Sequence, residues 1–124
     1  MVLVDTSVWI RSLAGRAPYM AELDGLLGRD EVAGHELVYG ELLIGDRGGR
    51  RKLLTAYERI HQASLVPHRD VVAFVRERDL YGRGVGWIDV HLLASAILER
   101  LQLWTVDPRF TAVAEELGVA YLPP

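Results

Sequence analysis

Residues 1–10 read MVLVDTSVWI and residues 101–110 read LQLWTVDPRF. Each stretch runs a few apolar residues into an aspartate, Asp5 and Asp107, and each then has the look of a helix start. Val2 to Val4 and Leu103 to Val106 are too short for helices and too apolar for surface loops, so they read as buried strands. The stretches between follow the same grammar. Helices are predicted from Thr6 to about Ala14, from Pro18 through Leu23, Leu26 and Leu27, and from His35 to Ile44. Others run from Leu53 to about His61, Arg69 to Tyr81, Trp87 to Leu101 and Pro108 to Leu117. Further short strands are predicted at Val32–Gly34, Leu65–Pro67 and Val119–Leu122, with DRGGRRK (46–52) as a polar turn and GRGVG (82–86) as a loop. No Asn-Gly or Asp-Gly hairpin signal separates the strands. Short apolar strands alternating with helices imply parallel strands with helical crossovers. The expected fold class is therefore α/β: a three-layer α/β/α sandwich with a central, mostly parallel sheet. No repeat, linker or low-complexity tract divides the chain, so residues 1–124 are read as a single domain.

Half of the residues are hydrophobic and a quarter are charged, which is the balance of a globular protein with one packed core. There is no cysteine, which removes disulfides and thiolate metal sites and fits a reducing cytoplasm. No window reaches the ~18 apolar residues that a membrane helix needs, and no basic segment precedes the short N-terminal apolar run, so neither a membrane span nor a signal peptide is expected. The net charge of −3 argues against gripping nucleic acid by bulk charge, although acids gathered around a cation would distort that total.

Taken singly, Asp5, Asp89 and Asp107 each read first as helix N-caps, and Pro108 stands at the favoured first helical position after Asp107. Position suggests more. Ligands of open parallel sheets bind outside the carboxyl ends of the strands, where Asp5 and Asp107 stand. Glu41 cannot be a cap, because it lies within HELVYGELLIG (35–45). Its helical neighbours are Leu37, Val38, Ile44 and Gly45, an apolar stripe in which a lone carboxylate would be costly. Either an arginine or a shared cation must compensate it. Asp89 repeats the pattern, with Leu92 and Leu93 at i+3 and i+4. By contrast Glu22, Asp24, Glu36, Glu58, Glu77, Asp79, Glu99, Glu115 and Glu116 fall in polar helical stretches and read as solvated faces. Four gathered carboxylates repel one another unless they hold a cation. All-oxygen ligands select a hard ion, Mg2+ or Mn2+, whose usual remaining partners are phosphates.

These motifs resemble the PIN-domain ribonucleases, and above all the VapC toxins of bacterial toxin–antitoxin pairs. The resemblance is carried by DTSVWI with Asp5, ELLIG with Glu41, GVGWIDVHLLASA with Asp89 and LWTVDPRF with Asp107, in matching order and spacing. It implies that Asp5, Glu41, Asp89 and Asp107 form the acidic catalytic metal site. It further implies supporting hydroxyls at Thr6 or Ser7 beside the first acid and Thr105 beside the last. It implies a PIN-like fold, a homodimer, a small cognate antitoxin, and RNA as substrate. The basic segment Arg47, Arg50, Arg51 and Lys52 could guide RNA phosphates or be a solvated turn. Met20–Leu27 offers apolar helix surface that a partner protein could cover. His35, His61, His68 and His91 show no mutual ligand spacing, and Trp9, Trp87 and Trp104 read as core.

Other readings are open at this point. A haloacid dehalogenase-type phosphatase would want a second Asp two residues after Asp5, where Ser7 stands. A receiver domain would want a lysine ending a late strand, and the one lysine is Lys52. A catalytically silent metal-binding interaction module, or an RNA-processing or flap-type nuclease, fits the same acids.

Overall fold

The computed structural model describes residues 1–124. In chain order the elements are β1 (Val2–Val4), α1 (Thr6–Leu13), α2 (Tyr19–Gly28), β2 (Val32–Gly34), α3 (Glu36–Ile44), α4 (Arg51–Tyr57), β3 (His61–Gln62), α5 (His68–Glu77), α6 (Trp87–Glu99), β4 (Gln102–Trp104) and α7 (Pro108–Glu116). The sheet order is β3-β2-β1-β4, and every pairing is parallel. Successive strand residues face opposite sides of a sheet. Val2, Leu3 and Val4 are all buried, as are Val32, Ala33 and Gly34, so helices cover both faces and the fold is the expected α/β/α sandwich.

The core lies between these layers, with Leu3, Leu23, Leu26, Leu42, Leu92, Leu93, Leu103 and Phe110 essentially inaccessible. Each such side chain stabilises the fold by ~1.5–3 kcal/mol relative to exposure. Helix α6 is buried along Val90–Ala96, which explains why its sequence is apolar on nearly every side. It ends where Arg100 turns left-handed at φ 57°.

Several boundaries differ from the sequence reading. The edge strand is His61–Gln62, not Leu65–Pro67. Its side chains are exposed; backbone pairing to β2, extended by Ala63 N–H to the Gly34 carbonyl at 2.8 Å, defines it. The apolar Val66 and Pro67 instead lead into α5 and line a groove with Phe74, Ala94 and Leu98. Helix α4 starts at Arg51, inside the expected polar turn, and ends at Tyr57. Helix α5 ends at Glu77, and Asp79 at φ 53° follows in the turn. The expected final strand is only a bridge between Leu103 and Ala120.

The order β3-β2-β1-β4 places the connections from β1 and β4 on either side of one crevice. Asp5 N–H donates to the Trp104 carbonyl at 2.9 Å, so the carboxyl ends of β1 and β4 lie side by side. Such a topological switch point is where open parallel sheets bind ligands.

Candidate active site

Asp5 follows β1 directly and is only 8% exposed. It occupies the N-cap position of α1 but makes no cap hydrogen bond, contrary to the cap reading. Its Oδ2 accepts two hydroxyl hydrogens, from Ser7 Oγ at 2.7 Å and Thr105 Oγ1 at 2.8 Å. Both hydroxyls are themselves polarised, since Ser7 Oγ accepts from Val106 N at 3.4 Å and Thr105 Oγ1 from Asp107 N at 3.2 Å. Thr105 thus adjoins Asp107 through the backbone while its hydroxyl serves Asp5.

Thr6 serves another acid. Its Oγ1 donates to Glu41 Oε1 at 2.7 Å, tying α1 to α3. Glu41 is half-buried beside the fully buried Val38 and Leu42. The expected apolar stripe is narrower than its spacing suggested, because Ile44 is 89% exposed and Gly45 is exposed too. No arginine pairs with Glu41: the ion pairs are Arg29–Glu31, His61–Glu99 and Arg83–Glu116. Glu99 is therefore not a simple solvated acid; it holds His61 and also accepts from Ser64 N–H.

Asp89, in the first turn of α6, accepts from Gly86 N–H on Oδ2 at 2.8 Å. Asp107 caps α7, with Oδ1 accepting from Arg109 N–H at 2.9 Å. Burial first of all pushes the Asp89 carboxyl above the usual carboxylate range. The Gly86 N–H opposes the shift, and the charges of Asp5, Asp107 and Glu41 add to it. The four acids thus occupy one electrostatic neighbourhood at the carboxyl edge of the sheet.

Each of the four has one oxygen engaged by the protein, while Asp5 Oδ1, Glu41 Oε2, Asp89 Oδ1 and Asp107 Oδ2 carry no protein hydrogen bond. As the side chains stand, no three acidic or imidazole groups are drawn tightly enough to enclose an ion. The donor chemistry nonetheless fits a hard divalent cation: oxygen only, half-engaged, and mutually repulsive without a counter-charge.

The basic segment divides. Arg50 Nη1 donates to the Leu42 carbonyl at 2.9 Å, which closes the C-terminal turn of the helix bearing Glu41. Arg47, Arg51 and Lys52 are exposed. Trp9 and Trp104 are core at 3% exposure each, but Trp87 is 44% exposed, so the core expectation fails there. Trp87 starts α6, where its ring lies against His68 and His91.

Sequence reasoning passed over His35. It ends β2 as Asp5 ends β1, and that parallel was the available signal. His35 is fully buried. Its Nδ1 accepts from Leu37 N–H at 3.1 Å, capping α3. Its Nε2 therefore carries the proton and donates to Ser95 Oγ at 3.0 Å, while Ser95 Oγ donates to the Ser64 carbonyl at 2.7 Å. The ring links the helix of Glu41 to the helix of Asp89.

Acids at the carboxyl edge of a parallel α/β/α sheet, two of them after neighbouring strands at the switch point, define the class, and the chain belongs to the PIN-domain family, whose profile matches residues 2–116. Within that family it is of the VapC type. It is 41% identical over 121 residues to Ribonuclease VapC32 of Mycobacterium tuberculosis, in the CDC 1551 / Oshkosh and the H37Rv strains alike, across 97% of this chain and 95% of the relative. The crystal structure of FitAcB from Neisseria gonorrhoeae is similar in fold, with a TM-score of 0.63 at 24% identity, covering 97% of this chain and 95% of that one.

Proposed function

We propose that residues 1–124 act as one PIN-like nuclease domain, a divalent-metal-dependent endoribonuclease that serves as the toxin of a toxin–antitoxin pair. The observation that supports the chemistry is the set of four half-engaged carboxylates sharing one electrostatic neighbourhood. The similarity to Ribonuclease VapC32 supports RNA as substrate and the toxin role.

In this reading Asp5, Glu41, Asp89 and Asp107 hold Mg2+ or Mn2+. The ion would supply Lewis acidity, acidifying water and offsetting charge that grows on the scissile phosphate. The protein's part is orientation. Ser7 and Thr105 fix the plane of Asp5, Thr6 fixes Glu41, Gly86 N–H fixes Asp89 and the α7 cap fixes Asp107. Supporting hydrogen bonds of this kind direct carboxylate lone pairs to a cation and are worth as much care as the ligands. Water attacks phosphorus in line, the P–O3′ bond breaks, and the products carry 5′-phosphate and 3′-hydroxyl ends. Arg47, Arg51 and Lys52 attract RNA phosphates from outside the site, with Arg50 beside them.

A small cognate antitoxin restrains the activity, and the nuclease works as a homodimer in the cytoplasm. Leu13, Met20 and Leu27 on α1 and α2 remain exposed, and apolar surface there suits a covering partner. No helix is long and apolar enough to cross a membrane.

The test is cleavage of total RNA by the purified chain with Mg2+ or Mn2+, with EDTA, and with Asp5→Asn. Cleavage that needs the ion and Asp5, with 5′-phosphate ends, supports the nuclease. Metal binding without cleavage would instead favour a silent interaction module. Growth arrest on expression, relieved by the neighbouring small reading frame, separates a toxin from an RNA-processing enzyme.

A further inference from the structure

Loop 82–86, which leads into α6, is fastened to both helices that carry the late acids. Arg83 sends two parallel bonds to Glu116 on α7, Nη1 to Oε2 at 3.0 Å and Nη2 to Oε1 at 2.7 Å. Gly84 is left-handed at φ +82°, and the Arg109 side chain of α7 lies across it. A Cβ on Gly84 would stand 2.5 Å from Arg109 Cδ and 2.9 Å from Nη1, so any larger residue would push the Arg109 side chain out of this position, and the positive φ itself favours glycine. Two residues on, Gly86 N–H binds Asp89 Oδ2, and Arg109 N–H binds Asp107 Oδ1. Through Gly84 and Arg109 the loop reaches from the first turn of α6, at Asp89, to the start of α7 beside its N-cap Asp107, while Arg83 ties it to Glu116 at the other end of α7.

Energy alone does not explain this fastening. The side chains of Arg83 and Glu116 are 35% and 56% exposed, and an exposed ion pair adds little to stability. A bidentate guanidinium–carboxylate pair does fix direction as well as distance. Asp89 and Asp107 share no hydrogen bond, so nothing joins the two side chains directly. Their relative placement therefore depends on the elements that carry them, α6 and the N-cap of α7.

We propose that Arg83 and Gly84, closed against Glu116 and Arg109, form a clamp that sets the spacing of Asp89 and Asp107 for the cation. Both are positioning residues, and the inference rests on the metal reading given above. The clamp predicts a separation that a stabilising contact would not produce: metal affinity should change while the apo fold does not.

The experiment follows the thermal melt of the full chain against Mn2+ concentration, with RNA cleavage in parallel. The proteins are wild type, Arg83→Ala, Glu116→Gln, the swap Arg83→Glu with Glu116→Arg, and Gly84→Ala. Arg83→Ala and Glu116→Gln should shift the apo melting temperature by less than ~5 °C. They should raise the Mn2+ concentration for half-maximal stabilisation by about 10-fold and lower kcat with little change in KM. The charge swap should recover much of the Mn2+ response, and Gly84→Ala should mimic Arg83→Ala. If Gly84→Ala does not fold, the Arg83 and Glu116 variants decide the matter alone. A wild type that responds to Mn2+ beside Arg83 and Glu116 variants with the same response overturns the clamp and leaves the metal reading intact. A swap no better than either single change also overturns it. A wild type blind to Mn2+ overturns the metal reading and the clamp together.

Discussion

Thr105 and Asp5, one hundred residues apart, meet across the seam between β4 and β1, with the threonine hydroxyl donating to Asp5 Oδ2 at 2.8 Å. Ser7 donates to the same oxygen, so Oδ2 is committed to the protein while Oδ1 carries no protein hydrogen bond. Thr105→Val should remove one bond to a buried acid and strand the Asp107 N–H that Thr105 accepts. A stability loss of about 1–3 kcal/mol is expected from urea unfolding, with cleavage slowed roughly 10–100-fold. Thr105→Ser, which keeps the hydroxyl, should restore most of both.

Glu41→Gln distinguishes a ligand from a structural acid. The amide oxygen can still accept from Thr6 Oγ1, and no arginine loses a partner. The apo variant should be as stable as wild type or more so, because one like charge leaves the neighbourhood. Mn2+ should raise its melting temperature much less than that of wild type, and cleavage should fall by roughly 100-fold or more. A variant that melts early yet keeps its full Mn2+ response would remove Glu41 from the site.

His35 should make the fold acid-sensitive. Burial pushes its pKa down from 6.5 to about 4; the neighbouring His91 adds to that and Glu99 opposes it. The unfolded chain therefore binds this proton before the folded one does. The contribution is present above pH 6.5 and is lost as pH falls to about 4, on the order of 3 kcal/mol in all. Structurally, a proton on Nδ1 would confront the Leu37 N–H that this nitrogen now accepts. Asparagine is a good cap that does not titrate, so His35→Asn should flatten urea midpoints measured across that window. An unchanged pH slope would contradict the assignment.

Gly34→Ala tests how tightly the end of β2 is packed. The added carbon would lie 2.7 Å from Gln62 Nε2 and 2.9 and 3.0 Å from the Tyr57 ring. The ring cannot retreat freely, since Tyr57 Oη accepts from His35 N at 2.8 Å and donates to the His35 carbonyl. A loss of about 1–3 kcal/mol is expected, read as a lower urea midpoint with an unchanged slope.

The exposed cations Arg47, Arg51 and Lys52 should act on RNA by charge alone. Changing all three to glutamine should reduce the slope of log affinity against log salt by about 2, as expected for single-stranded phosphate contacts at ~0.7 each. Mn2+ binding should be untouched. Arg50 is left in place because it closes the turn after Glu41.

What the sequence determined by itself was what depends on neighbours in the chain. The apolar runs before Asp5 and Asp107, the helical spacing around Glu41 and the α6 run from Trp87 all became elements of the predicted kind, though the strand before Asp107 is Gln102–Trp104 and not Leu103–Val106, and α6 ends at Glu99 and not Leu101. The PIN-type motifs marked the four acids because their order along the chain is visible without coordinates. Tertiary structure decided what depends on distance across the fold. It made His61–Gln62 the edge strand, because an edge is chosen by backbone pairing to β2 and not by apolar side chains. It left Ile44 exposed beside Glu41, because a helix buries only the face that another element covers. It gave the hydroxyl of Thr6 to Glu41 and that of Thr105 to Asp5, pairings 35 and 100 residues apart. It also gave His35, read in the sequence only as a histidine without ligand spacing, and Arg83 the bonds that tie the elements of the site together. Hydrogen bonds over such separations leave no periodic trace in the sequence, so only the folded chain could reveal them.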